Sequence, residues 1–531
     1  MKIILHGRVV AMDPAFTVLK QGAIYIDGNT IVAVADHAAS PPAGFAGARI
    51  IDTGGTIFPG LVELHNHLSY DALQMWHVPK KFSDRGQWQS NSDYVANVSG
   101  PMGVIAKSKD PHLLASLVRY VETKCLLGGV TTTQGISLKG DNLDTYYKSA
   151  MRVVDDPADP KFPRASTRIP DVDASDWAAF KKDVDKASCL LLHLSEGLDP
   201  KAREAFLALQ DPQSKEWAIG PALAGIHCAA LQSADFALMA SKGASAVWSP
   251  LSNLLLYGGT TDVKAARAAG VPVALGSDWS PSGSKNLLNE LKVAMIVNSV
   301  NGIGMADRDL VAMATTVPAS IVKWGALIGS LSAGKRADLL VVNAPASSDP
   351  YASLLKAHET DVTLVMIDGR AVVGMKALMN AFGQTGENVP LGKQARVINY
   401  GPGDPRIPVV TFAQAQAALT DALNRLPTLL SDEKAGHGVS GSKVAHAAAA
   451  PQLRLALDEE HRGGFALRPR LPFANKLTGP DAVAAPAAAV APLKALKLDA
   501  VAVEGDPGYG ALLQGQINIP AAIKSALKSI Y

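Results

Sequence analysis

A parallel α/β architecture, arranged as a (β/α)8 barrel flanked by a small β domain, is the fold class this sequence predicts. Two observations carry it. Four short polar phrases each follow an apolar, strand-like run: HNH at His65–His67 after IFPGLVEL, HLSE at His193–Glu196 after CLLL, His227 after PALAGI, and Asp278 after VPVALG. Polar groups at the ends of separate strands are what the carboxyl mouth of such a barrel collects. Their spacing agrees: His193 to His227 is about one βα unit, and the gap from His67 to His193 leaves room for three more strands.

Taken in order, residues 1 to 55 divide into short strands, KIILHG, RVVAMD, AIYIDG and TIVAVAD, with Asp27-Gly28-Asn29 as a turn. A matching set, ADLLVVN, VTLVMIDG and RAVVG, follows the barrel. The two sets are expected to pair into one β-sandwich from residues 1–57 and 331–400, around a barrel over 58–330. Within the barrel, DPHLLASLVRYVETKCLLGG has helical spacing, an acidic start and a Gly128-Gly129 stop. VTTTQG is the next strand, and 285–300 is an amphipathic helix after the Asp278 strand. The fourth strand is placed in SAMRVVDD, Ser149–Asp156, which offers no lysine to bridge two metals. The stretch Leu68–Gly103 is expected to be a long, mostly irregular loop over the mouth. From 401 to 531 an extension turns Ala/Pro-rich, in 445–452 and 483–498, and is expected to be partly low-complexity. Phe412–Leu430 has helical spacing that suits docking. A chain cut near residue 435 is therefore predicted to keep its metal and most of its stability.

The ligand set follows from residue type. In a strand, positions i and i+2 share a face, so His65 and His67 can address one ion. With His193 and Asp278 they supply three nitrogens and one oxygen, a set suited to a divalent transition metal with a position open to water. His227 and Glu196 remain to handle protons. A lone HxH is ordinarily two packing histidines, and Asp278 alone could be a turn residue; the ordered conjunction is what points to a metal.

These motifs, with PGLVELHNH, HLSEG, SPLSN at Ser249–Asn253, LGSD, and IGSLSAGKRADLLVV at Ile328–Val342, resemble the amidohydrolase superfamily over roughly residues 1–375. The pattern is similar to its mononuclear branch of cytosine-, guanine- and adenosyl-type deaminases and triazine hydrolases. The resemblance implies one divalent metal per chain, zinc in preference to iron, held by His65, His67, His193 and Asp278. Glu196, His227 and Asp278 would be catalytic. The implied reaction is hydrolysis of a C–N bond by metal-activated water, foremost the deamination of an aminated heterocycle. Cleavage of an amide, cyclic amide or ester is the alternative, and a barrel kept for binding alone a remote third. Trp76, His77, Arg85, Trp88 and Asn253 are the candidate substrate contacts. The Leu68–Gly103 stretch departs from the deaminase pattern, which bears on the substrate more than on the chemistry.

Composition sets the remaining limits. The 531 residues, 48% hydrophobic and 18% charged, are those of a globular protein of more than one domain. A net charge of +2 and the lack of a basic stripe exclude nucleic acid as an expected partner. The expected partner is a small-molecule substrate, and a homo-oligomer is compatible with the sequence. Cys125, Cys189 and Cys228 are too few for a disulfide framework, MKIILHGRVVAMD lacks a secretory apolar run, and no run reaches about 18 apolar residues. No membrane is expected, and the cytoplasm is the expected location.

Overall fold

The computed structural model describes residues 2–140, 143–172, 175–344, 348–434, 453–457 and 493–531. Its first layer is a nine-stranded sheet in the order Glu387–Leu391, Gln394–Ile398, Arg370–Gly374, Val362–Ile367, Leu339–Val342, Arg49–Pro59, Lys2–Val10, Val18–Asp27, Thr30–Asp36. Both ends of the predicted split domain are thus in one sheet. They are sewn together where Val341 faces Ile57 and Leu340 faces Phe58 in an antiparallel pair. KIILHG and RVVAMD, read as two strands, form one strand, with its register shifted near Gly7. A side chain at Gly7 would meet the Thr53 hydroxyl at 2.6 Å and the Gly55 carbonyl at 2.9 Å, so the strands approach too closely there for any other residue. The hairpin Glu387–Ile398 extends the sheet beyond the strands read from sequence.

Parallel strands build the second part in two arcs. Leu61–Val62, Val130–Thr133 and Arg152–Val153 form one; Ala165–Arg168, Cys189–Leu194, Leu223–His227, Ser245–Trp248 and Val273–Leu275 form the other. Backbone bonds link the arcs on both sides: Ala165 N donates to Val154 O at 2.9 Å, and Asp278 N to His65 O at 2.9 Å. Val62, Leu64, Val154, Ala165, Leu191, Ala224, Ile226, Val247 and Ala274 share one apolar cluster, closed below by Trp324 and Ile328. One face of both arcs therefore looks inward. SAMRVVDD supplies the third strand rather than the fourth. The fourth is Ala165–Arg168, which also carries no lysine.

Two helices depart from the expected exposure. Pro111–Leu127, capped by the Asp110 side chain at His112 N and ended at Gly128, is buried from Leu113 through Leu127. Leu287–Val300 is buried through most of its length, not amphipathic toward solvent. The cause is the C-terminal extension: Phe412–Asn424 packs on the first helix and Ala521–Lys528 on the second. Asp499, 2% exposed, receives Lys124 at 2.7 Å and Lys285 at 2.5 Å. Gln516 bonds Val78 N and Trp76 O, and Asn518 bonds Lys80 O and Leu255 O. Residues 493–531 are thus part of the packed body, contrary to the expectation for a chain cut near 435. His437, His446 and His461, whose polar sequence surroundings do not suggest ligands, lie outside the described residues. Among the described residues no helix is long and apolar enough to cross a membrane, and the three cysteines are buried and free.

Leu68–Gly103 is less irregular than its composition suggests. Its second half is helical, over Arg85–Gln89, Ser92–Tyr94 and Val95–Lys107, because the Asn91 side chain caps Asp93 N and Pro101 falls in a first helical turn.

Candidate metal centre and proton relay

His65, His67, His193, His227 and Asp278 all lie at or just past the carboxyl ends of parallel strands. Two of them sit in left-handed backbone, His227 at φ +66° and Asp278 at φ +60°. That conformation is costly for residues with a Cβ and turns these side chains inward. Ligand atoms of His65, His67 and Asp278 lie within 4.8 Å of one another, as do those of His65, His193 and His227. His67 Nε2 is 3.2 Å from His193 Nε2, and Asp278 Oδ1 is 3.4 Å from His65 Nε2 and 3.6 Å from His67 Nε2. Tetrahedral bonds of about 2.0 to 2.1 Å place ligand atoms about 3.3 Å apart, so these spacings fit one metal ion.

Charge state agrees with geometry. Burial, and then the neighbouring imidazoles, hold His193 and His227 well below the usual imidazole range, so both are neutral. Burial would raise the Asp278 carboxyl, but the neighbouring imidazoles, His65 and its hydrogen bond first, outweigh it and keep it ionised. Neutral imidazoles and an anionic carboxylate are the forms a metal requires.

Two hydrogen-bond chains fix which atoms carry protons. Trp248 Nε1, which can only donate, donates to Thr260 Oγ1 at 2.7 Å. The Thr260 hydroxyl then donates to Asn253 Oδ1 at 3.2 Å, leaving the Asn253 amide NH2 to face His227 Nδ1 at 3.1 Å. His227 therefore carries its hydrogen on Nε2, 3.7 Å from Glu196 Oε2. In the second chain Trp88 Nε1 donates to Tyr257 Oη and Tyr257 donates to Glu196 Oε1, each at 2.7 Å. Oε1 is occupied as an acceptor, so any proton on Glu196 resides on Oε2, beside His227. Burial pushes Glu196 up to about 7; Arg85 opposes this, Asp278 adds to it, and the Tyr257 bond opposes it.

The pocket over these groups is lined by His67, Tyr70, Arg85, Trp88, Gln89, Ile169, His193, Glu196, His227, Asp278 and Trp279. Arg85 Nη1 donates to Ile169 O at 2.8 Å and lies 3.9 Å from Glu196 Oε2, while Nη2 pairs with Asp171 at 3.0 Å. Of the five candidate substrate contacts, Arg85 and Trp88 line the pocket and Asn253 stands behind His227. Trp76 lies in the layer beneath, stacked on Phe82 and bonded to Asp93, and His77 is exposed; neither lines it. Sequence reading missed Tyr257, Tyr70, Trp279 and Ile169. It also missed Glu63, two residues before His65, whose Oε1 accepts from Ser277 N at 2.9 Å and so ties the strand ends bearing His65 and Asp278. An acid inside the apolar run GLVEL was the available signal.

Residues 204–372 match the model of the amidohydrolase family. A 5-methylthioadenosine/S-adenosylhomocysteine deaminase of Symbiobacterium thermophilum is 24% identical over 410 residues, 70% of this chain and 93% of that protein. Over these spans the chain is similar to members of the amidohydrolase superfamily. An adenosine deaminase from Xanthomonas campestris with bound zinc has the same fold at a TM-score of 0.55 and 20% identity, covering 72% of this chain and 97% of that one. A mutant atrazine chlorohydrolase from Arthrobacter aurescens, with zinc and atraton, gives 0.57 and 19%, covering 72% and 98%.

Proposed function

We propose that this protein is a metal-dependent hydrolase that deaminates an aminated heterocycle. The observation that carries the reading is the Glu196–His227 pair: a carboxyl poised near pH 7 with its proton-bearing oxygen beside an N–H donor, both facing the candidate metal ligands. The two arcs of strands are read as one closed (β/α)8 barrel, with one ion at its mouth held by His65, His67, His193 and Asp278. The zinc named in the two solved relatives favours zinc over iron. When bound, such a cation supplies water activation at neutral pH.

The chain's own residues supply the rest. Asp278, ionised beside the ligand cluster, is the acceptor for the water proton. His227 Nε2–H, held in that tautomer by Asn253 and Thr260, donates to the centre under attack. Glu196 delivers the proton on Oε2 to a ring nitrogen or to the departing amine, a role its tuned acidity suits. Trp88, Tyr70 and Trp279 wall the site and exclude water. Aromatic walls suit stacking on a small amino-substituted ring, and the names of the matched adenosine-type deaminases support that class.

Ammonia release from a panel of aminopurines, aminopyrimidines, aminopterins and aminotriazines, with metal-replete protein, tests the reading. The expected result is release from at least one class, lost in Glu196→Gln protein that keeps its metal. Turnover confined to amides, cyclic amides or esters would replace it with the second hydrolase reading. The three buried thiols also suit a reducing compartment, and the cytoplasm is the proposed location.

A further inference from the structure

Far along the chain from the barrel ligands, the C-terminal segment brings a second donor set together. His358 and Glu359 stand at the start of the turn Glu359–Asp361, and Glu504 lies in the turn Val503–Gly505. One ligand atom from each of the three lies within 4.8 Å of the others. Glu359 is fully buried. Its Oε1 accepts from Asn286 Nδ2 at 2.8 Å and Asn289 Nδ2 at 2.7 Å, whereas Oε2 is buried with no hydrogen-bond partner among the described residues. Glu504 Oε1 accepts from Thr360 Oγ1 at 2.8 Å and stands 3.6 Å from His358 Nδ1, and Glu504 Oε2 and His358 Nδ1 are likewise buried without a partner.

Two carboxyls set side by side, one of them fully buried, repel one another unless a shared proton or a shared ion lies between them. The nearby cations Lys292 and Arg396 offset part of that charge, but neither bonds to the carboxylates. Lys292 is directed to the carbonyls of Ala357 and Leu288, and Arg396 to those of Val362 and Thr360. Asp361 is used in accepting from His358 N. The 3.6 Å separation of His358 Nδ1 and Glu504 Oε1 is close to that of two ligands on one ion, and the His–Glu–Glu donor set suits a first-row divalent cation with positions left for water. His358 also borders a cavity of about 540 Å³ with Met295, Ile296, Ser299 and Ile530, which gives the ion a route in.

We propose that His358, Glu359 and Glu504 form a second metal site, for zinc or manganese, that clamps the C-terminal segment to the turn following helix Pro350–Lys356. The site is independent of the barrel centre and of the reaction assigned to it. Its role is structural: Glu504 is contributed by the segment that also carries Asp499, so one ion ties that segment to residues 358–359.

The test uses full-length protein stripped with chelator and reloaded with zinc or manganese chloride alone. Wild type is expected to take up one equivalent more than Glu504→Gln or His358→Gln protein, and His193→Ala protein, impaired at the barrel centre, is expected to retain that extra equivalent. Metal is also expected to raise the Tm of His193→Ala protein and to do so far less when His358→Gln is added. The His358 change lies at the more exposed side of the cluster, so it remains informative if Glu504→Gln fails to fold. Equal metal uptake by wild type and His358→Gln protein would overturn the site. So would a Tm of the His193→Ala protein that depends on pH but not on metal, which would assign the cluster to carboxyls sharing a proton.

Discussion

Glu196 separates two tasks between its two oxygens. Oε1 is held by Tyr257, whose own direction is set by the Trp88 indole, and Oε2 is left toward His227. Glu196→Gln keeps the shape and removes the proton. Metal content is expected to stay and turnover to fall about 10²- to 10⁴-fold, measured as ammonia release against bound metal; unchanged turnover would reduce Glu196 to a structural carboxylate. His227 depends on a longer chain. Thr260→Val breaks the relay at the hydroxyl, leaving Asn253 free to turn over and His227 free to move its hydrogen to Nδ1. A loss of about ten- to a hundredfold in kcat with metal retained is expected, the usual cost of an orienting partner. Full activity would show that the tautomer is set elsewhere.

At the scale of elements, the decisive piece is the short helix Arg85–Gln89 over the pocket. Asp84 bridges Gly197 in backbone pairing, and Arg85 N donates to Glu196 O, so this element is strapped to the strand end that carries the proton. Beneath it the space is only about 20 Å³, room for little more than one water, so a heterocycle enters only if Arg85–Gln89 moves. Arg85→Ala removes the bonds to Asp171 and Ile169 and also removes the charge that restrains Glu196. The sign follows: Arg85 lowers the Glu196 pKa, so without it Glu196 titrates higher than it does now. If protonated Glu196 is the acid, activity is full below its pKa and declines above it, so the alkaline limb of the kcat/KM profile is expected to shift to higher pH. A limb that stays in place, measured with the same substrate, would separate Arg85 from the proton on Glu196.

For the whole molecule, the site motifs were legible because each is a short phrase behind an apolar run: HNH behind GLVEL, HLSE behind CLLL, GSD behind VPVAL. The composite sheet was legible for the same reason, since alternating apolar residues mark both halves. The packing of residues 493–531 was not, because its anchors are single polar residues meeting partners hundreds of positions away. Asp499 holds Lys124 and Lys285, and Lys124 also donates to Ser280 Oγ, two residues past Asp278. The sequence did carry a hint, in the charged Arg119, Glu122 and Lys124 on a helix otherwise apolar. Removing Asp499 leaves two lysines buried beside one another, with Asp506 3.0 Å from Lys285 and the buried Asp71 near Lys124. Breaking a buried pair by deleting one partner costs about 3 to 5 kcal/mol, because the surviving charge stays out of water. Asp499→Asn is therefore expected to lose stability of that order in denaturant unfolding, and a chain ended after residue 434, which also uncovers Leu287–Val300, is expected to lose more. A truncated chain with wild-type stability and metal content would reduce the extension to an accessory layer, and an Asp499→Asn protein within about 0.5 kcal/mol of wild type, the range of ordinary surface changes, would place its anchor elsewhere.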